Sequence, residues 1–79
     1  MKILVRNLER SLTEAELLEL FEQYGQVDSC VIVMDQATGK SKGFGFVEMP
    51  HARDAIKAIK GLNTLKLKGV GIRVKAAEE

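Results

Sequence analysis

Residues 42–49 of this 79-residue chain read K-G-F-G-F-V-E-M, and the alternation of side chains in this stretch constrains how it can fold. Side chains of a β-strand point alternately to its two faces. One face would carry two charges and two rings, from Lys42, Phe44, Phe46 and Glu48. The other face would carry only small or apolar residues: Gly45, Val47 and Met49. Burying the rings would bury Glu48 with them and expose Val47. We therefore predict that Phe44 and Phe46 face solvent.

Two exposed rings on one strand form a surface on which nucleic-acid bases can stack. Alternate residues of a strand lie about 7 Å apart, which places the two rings side by side. Such stacking tolerates any sequence because every base has a π face, and the neighbouring Lys42 supplies positive charge for phosphate. The alternative is a strand covered on both faces, with the rings in an ordinary core. The flanking charges argue against it.

The octamer resembles the main signature of the RNA recognition motif, which reads Lys or Arg, Gly, aromatic, Gly or Ala, Phe, Val, any residue, aromatic. Met49 is the one departure, and its parity places it on the core side. Residues 3–8, I-L-V-R-N-L, resemble the second signature of that family, with Leu4 where an aromatic ring is usual. The resemblance covers residues 2–76 and is greatest to the compact single-motif proteins of bacteria. In the family these two strands lie side by side.

The order of elements predicts one α+β domain over residues 1–79, with a core of about 2–76 and a short acidic end at 77–79. Alternating apolar residues predict strands at 2–6, 42–49 and 72–76, and β-branched, apolar composition predicts another at 27–34. A short hairpin strand at 64–68 and a turn at 69–71 are expected before the last strand. A helix follows the first strand and another follows the third. The resulting order βαββαβ is typical of the ferredoxin-like split βαβ fold, a four-stranded antiparallel sheet packed on two helices.

Each predicted helix has a recognisable start, an apolar stripe and a glycine at its end. Thr13 and Glu16 form a capping-box pattern at the first helix, and Pro50 begins the second. Gly25 and Gly61 mark the predicted ends. The stripes follow the i, i+3, i+4, i+7 spacing: Leu17, Leu20, Phe21 and Tyr24 in the first helix, and Ala52, Ala55, Ile56 and Ile59 in the second.

Charge is distributed unevenly along the chain, although the formal net charge is only +1. Residues 1–39 carry three basic and seven acidic side chains, net −4, while residues 40–79 carry nine basic and four acidic, net +5. A nearly neutral chain gives little support for nucleic-acid binding by itself. The basic half, however, is the half that contains the two rings of the octamer, so the local charge favours an anionic ligand there.

Other classes of site lack the residues they need. Cys30 is the single cysteine, which excludes an internal disulfide or a multi-thiolate metal site. His51 has no partner at a catalytic spacing. The G-K-S at residues 39–41 lacks the earlier glycine of a phosphate loop, because Met34 stands there. We expect neither an enzyme nor a cofactor and, since the sequence shows no leader or bilayer-spanning pattern, we expect a cytoplasmic protein.

The resemblance implies a monomer that binds short single-stranded RNA, or single-stranded DNA, across the open sheet face. Phe44 and Phe46 would stack on bases, with Leu4 beside them. The other contacts would come from polar and basic residues: Arg6, Asn7, Lys40, Lys42, Arg73 and Lys75. Val31 and Val33 would share this face, so the alternative is a surface for protein interaction or weak dimerisation.

Overall fold

The computed structural model describes residues 1–77, so the predicted acidic end at 77–79 lies outside the described residues except for Ala77. The elements follow in chain order: β1 (Lys2–Arg6), α1 (Glu14–Glu22), β2 (Ser29–Met34), β3 (Ser41–Glu48), α2 (Ala52–Leu62), β4 (Lys66–Leu67), β5 (Val70–Gly71) and β6 (Arg73–Ala76). Four strands form an antiparallel sheet in the order β2-β3-β1-β6, and β4 pairs with β5 in a separate hairpin. The predicted ferredoxin-like βαββαβ fold is confirmed.

The alternation predicted for β3 is present. Val47 is fully buried, as is Met49 just beyond the strand, whereas Phe44 and Phe46 remain partly exposed and Lys42 is exposed. One face of the sheet therefore belongs to the core between sheet and helices. The largest fully buried side chains of that core are Phe21, Ile3, Leu17, Met49, Ile72, Val5 and Val47.

Helix α1 begins as predicted but ends earlier. The Thr13 hydroxyl accepts a hydrogen bond from the Glu16 N–H (3.1 Å), and the Glu16 carboxylate accepts one from the Thr13 N–H (2.9 Å), which completes the capping box. The backbone hydrogen bond from Thr13 lowers the pKa of Glu16. The last helical residue is Glu22, with Gln23 as the cap, so the predicted stop at Gly25 is wrong: the φ of Gly25 is 158°, not the value of a left-handed cap.

Helix α2 buries a face that only partly overlaps the predicted stripe, since Ala55 is buried and Ile59 packs against the core as predicted. Its buried residues are Ala55, Ala58 and Leu62, while Ile56 is 44% exposed. The spacing i, i+3, i+7 fits this face as well as the predicted one, and its two alanines let the helix approach its neighbours closely. The helix also continues through Gly61, where a Cβ would overlap the Tyr24 hydroxyl. Gly61 therefore makes room for a packed side chain and does not end the helix.

The segment between α2 and β6 contains one more strand than predicted. The hairpin turns at Lys68 and Gly69, which have φ values of 52° and 83°. Two consecutive positive φ values are typical of a two-residue hairpin loop. Residues 70–71, predicted as part of a turn, are therefore the strand β5, and β6 begins one residue later than predicted.

Strand β2 is an edge strand that is partly covered by α1. It begins at Ser29, two residues later than predicted, with Ile32 buried and Cys30 partly buried. The Glu14 carboxylate accepts a hydrogen bond from the Ile32 N–H (2.9 Å). This bond satisfies a donor that the sheet leaves unpaired, which protects the edge against pairing with another strand.

Candidate nucleic-acid interface

The exposed face of the sheet is organised by the pairing of β1 with β3. In the antiparallel register, Leu4 lies opposite Phe46 and Arg6 lies opposite Phe44. All four side chains line one cavity of about 330 Å³ on this face. The prediction that Leu4 points the same way as the rings, on the neighbouring strand, is confirmed. The two strand signatures thus combine into one surface.

The two rings contact each other edge to face. Their centroids are 6.1 Å apart and their planes are inclined by 88°. This T-shaped arrangement is a preferred geometry for an aromatic pair because the positive edge of one ring meets the negative face of the other. Since the planes are perpendicular, Phe44 and Phe46 offer two separate π faces and not one continuous platform.

Gly45 allows the strand that carries the rings to approach its neighbour. A Cβ at Gly45 would overlap the backbone carbonyl oxygen of Val31 and would lie 3.1 Å from the Cα of Ile32. A backbone cannot move aside as the end of a flexible side chain can. The glycine between the rings therefore holds Phe44 and Phe46 at their spacing from β2.

Lys2 reaches the ring of Phe46, a contact that was not among the predicted site residues. Its Nζ lies 4.6 Å from the ring centroid, within the range of a cation–π interaction. Lys2 shares the parity of Leu4 and Arg6, so the sequence placed it on this face, but its contact with Phe46 depends on the pairing register. A base stacking on that face of Phe46 would displace the ammonium, which would then be free to meet a phosphate.

Positive charge is concentrated where β1 ends and β3 begins. Arg6 is paired with Phe44 on one side and lies opposite Arg73 on the other. Lys75 lies opposite Leu4, and the side chains of Arg73 and Lys75 are exposed as predicted. Like charges placed opposite each other on neighbouring strands destabilise a sheet. This end of the surface is therefore suited to an anion.

A second cavity extends this basic end beyond the sheet. It measures about 350 Å³ and is lined by Arg6, Asn7, Leu8, Arg10, Lys42, Gly43 and Phe44. Arg10 was missed by the sequence analysis because it lies in the loop between β1 and α1, where no periodicity gives a direction to a side chain. Only the folded loop shows that Arg10 shares a cavity with Arg6 and Lys42.

Comparison with known proteins agrees with this geometry. A model of the RNA recognition motif matches residues 3–73. This chain belongs to the RNA recognition motif family. Among curated relatives, a chloroplastic 31 kDa ribonucleoprotein of Nicotiana plumbaginifolia is 41% identical over 78 residues, which are 99% of this chain and 27% of the relative. The chain thus spans about a quarter of the length of that relative.

Solved structures of the family superpose closely on the chain. The crystal structure of RNA Binding Protein PG1 is 43% identical, with a TM-score of 0.95 over 100% of this chain and 95% of that one. A Sxl-lethal protein/RNA complex is 32% identical, with a TM-score of 0.94 over 99% of this chain and 47% of that one. The fold and the arrangement of strands are thus those of the family.

The two departures from the family signatures have different consequences in this motif. Met49 is fully buried, so it changes the packing of the core and leaves the exposed face unaltered. Leu4 lies on the exposed face, opposite Phe46 and in the same cavity as both rings. The position where the family signature has a ring is therefore occupied by an aliphatic side chain, which offers van der Waals contact without a π face.

Asn7 and Lys40, which were also predicted as ligand contacts, differ in whether they lie near the basic cavity. Asn7 has a φ of 60°, and its side-chain Nδ2 donates a hydrogen bond to the Gly71 carbonyl (2.7 Å). It therefore fixes the end of β1 to the β5 strand at the rim of the basic cavity. Lys40 is exposed in the turn between β2 and β3 and lines neither cavity of this face. Lys40 is not brought together with the other predicted residues.

The apolar part of the exposed face extends from β1 to the edge strand. Val31 lies opposite Phe46 and is 49% exposed, and Val33 is partly exposed. Met34, at the end of the same strand, is 51% exposed. Together with Leu4 and the rings, Val31 and Val33 form the apolar surface that the sequence predicted, whereas Met34 lines a different cavity with Ile32 and Ser41.

Cys30 is partly buried and carries a free thiol. Burial, with a smaller contribution from the negative charge of Glu14, raises the pKa of the Cys30 thiol to about 11. Residues 1–77 contain no group of three His, Cys, Asp or Glu side chains placed to hold a metal ion. Within the same residues, no helix is long and apolar enough to cross a membrane.

Proposed function

We propose that this chain binds short single-stranded RNA across the exposed face of β1 and β3. The observation that carries the proposal is the pair of partly exposed rings, Phe44 and Phe46, in register with Arg6 and Leu4 on the neighbouring strand. Each ring offers a π face to a base, and stacking of this kind contributes roughly 1–3 kcal/mol per base. Membership in the RNA recognition motif family and the similarity to an RNA complex support the same ligand.

The rows of side chains across the sheet support an ordered role for each residue. One row runs from Val31 through Phe46 and Leu4 to Lys75, and its centre is apolar. The next row runs from Phe44 through Arg6 to Arg73. Bases would occupy the apolar centre, while Arg6, Arg73 and Lys75 would meet phosphates or base edges.

The charge of the opposite side of the molecule supports this orientation. Helix α1 exposes Glu19 and Glu22, away from the sheet face. A phosphate backbone would be repelled there and attracted to the basic end of the sheet. The contrast favours an RNA that crosses the sheet and stays clear of α1.

A titration with labelled oligouridylate at two salt concentrations tests the proposal. Binding should weaken as salt rises. The protein displaces cations from the RNA phosphates, and their release contributes less free energy when the salt concentration is high. An RNA duplex should compete poorly, because its bases are stacked inside the helix and cannot reach the rings. Single-stranded DNA of the same sequence should compete to some degree, since stacking does not require the 2′-hydroxyl. Equal competition by the duplex, or no binding at low salt, would contradict the proposal.

A second function is favoured by the exposed apolar side chains of β2. Val31 is about half exposed and Val33 is partly exposed, on the same face as Leu4, which suits contact with a protein or with a second copy of the chain. Sedimentation velocity between micromolar and millimolar concentrations separates the two functions. A monomer at all concentrations favours RNA as the ligand. A dimer that RNA does not dissociate favours the protein-interaction function.

A further inference from the structure

The basic cavity at the end of β1 holds a cluster of unneutralised cations. Arg6, Arg10 and Lys42 line the same space of about 350 Å³, and no acidic side chain lines it. Within residues 1–77, none of these three side chains forms an ion pair. Arg73 adds a fourth cation, since it lies opposite Arg6 on the neighbouring strand. Residues 1–77 therefore supply no acidic side chain that lines the cavity beside the cluster.

The nearest acidic side chain in sequence is directed elsewhere. The Glu9 carboxylate accepts hydrogen bonds from the Ser11 N–H (3.0 Å) and from the Ser11 hydroxyl. These bonds lower the pKa of Glu9, so it is ionised at neutral pH, yet it does not line the cavity. The loop thus turns its carboxylate toward Ser11 and the backbone of Arg10, outside the cavity that the Arg10 side chain lines. An arrangement that gathers like charges and turns the adjacent negative charge aside is suited to binding an external anion.

We propose that this cavity binds a phosphate group of the RNA, on the nucleotide that adjoins the base stacked on Phe44, with Arg10 as a direct phosphate contact. The inference rests on the proposed function and adds a residue outside both strand signatures. Phe44 lines the cavity together with the three cations, so a base on that ring would bring its own backbone to the cavity. The guanidinium of arginine donates two parallel hydrogen bonds to phosphate oxygens, whereas lysine acts as a point charge.

Arg10→Gln tests the contact because it removes the charge at an exposed position. Each phosphate contact contributes about 0.7 to the slope of log affinity against log salt for a single strand, so the slope should become shallower by about that amount. The same slope predicts that the ratio of wild-type to variant RNA affinity falls roughly two- to threefold between 50 and 200 mM KCl. Arg10→Lys should restore most of the slope. Lys57→Gln, at an exposed position of α2, is the matched control and should leave the slope close to that of the wild type.

The phosphate has two possible sources, a 5′-terminal monophosphate or an internal phosphodiester. Comparing oligouridylates with and without a 5′-phosphate tests the terminal monophosphate. Oligomers in which one linkage at a time is a neutral methylphosphonate test each internal phosphodiester. Whichever modification weakens binding by the wild type should weaken binding by Arg10→Gln less, because Arg6 and Lys42 are the cations that remain in the cavity. The phosphate site is refuted if no modification acts differently on the two proteins, or if Arg10→Gln and Lys57→Gln have equal slopes.

Phe44→Ala separates failure of this inference from failure of the proposed function. If Phe44→Ala weakens binding while Arg10→Gln does not, RNA stacks on the sheet without a phosphate in the basic cavity, and only the inference is wrong. If neither variant changes the affinity for oligouridylate, the proposed stacking surface is wrong as well.

Discussion

Replacing Leu4 by tyrosine should increase RNA affinity. Leu4 is the residue of the exposed face at which this chain departs from its family, and it lies opposite Phe46 in a cavity of about 330 Å³ that also contains Phe44. The cavity is open to solvent and has room for a ring, so the added volume should cost little stability. A third ring would offer a π face beside the two existing ones.

The magnitude follows from what leucine already provides. Stacking of a base on an aromatic ring is worth roughly 1–3 kcal/mol relative to alanine. Leucine supplies part of that as van der Waals contact, so we expect a gain of about 1 kcal/mol, or roughly fivefold in Kd. Leu4→Ala should weaken binding by less than the removal of either ring.

Fluorescence anisotropy with a labelled oligouridylate at one fixed salt concentration measures the effect. Ile56→Tyr is the control, because Ile56 is 44% exposed on α2 and the substitution adds a ring away from the sheet face. It should leave Kd unchanged. Unchanged or weaker binding by a folded Leu4→Tyr protein would refute the placement of Leu4 beside the bound bases, and would favour a protein partner for this surface.

Four further predictions concern the scaffold. Gly45→Ala should lower the free energy of unfolding by about 1–3 kcal/mol in a urea titration, because its Cβ would overlap the Val31 carbonyl oxygen. Thr13→Ala should cost about 1 kcal/mol in the same assay through loss of the α1 cap. The raised pKa of Cys30 should keep the thiol neutral, so iodoacetamide at pH 8 should react faster with urea-unfolded than with folded protein. Stability should also fall as pH rises above about 8.5, where the unfolded thiol ionises. Equal alkylation rates would contradict the argument for Cys30. An unchanged unfolding curve for either variant would contradict the argument for Gly45 or for Thr13.

The exposed face was predictable because strand parity is a strong constraint. Charged and apolar side chains alternate in residues 42–49, and only one of the two orientations avoids burying Glu48. The structure has that orientation, with Val47 buried and both rings partly exposed. The capping box at Thr13 was equally local, since it depends on residues three positions apart.

The errors arose where the pattern allowed two answers or gave none. Helix α2 has apolar residues on two overlapping stripes, and the packing of Ala58 and Leu62 decided which one is buried, leaving Ile56 exposed. Arg10 lies in a loop, where the direction of a side chain depends on the folded backbone. The contact of Lys2 with Phe46 depends on the register between β1 and β3, which the residues of one strand cannot give.

The measurement that tests the central claim most directly compares the two rings with their buried neighbour. Phe44→Ala and Phe46→Ala should each weaken RNA binding about fivefold or more while changing the melting temperature little, because the rings face solvent. Val47→Ala should do the reverse, since it opens a cavity that costs about 1 kcal/mol or more and touches no ligand. Binding and thermal melts of the three variants, measured together, should therefore show opposite patterns. If the phenylalanine variants lost more stability than Val47→Ala and kept the affinity of the wild type, the rings would be core residues and the proposed surface would not exist.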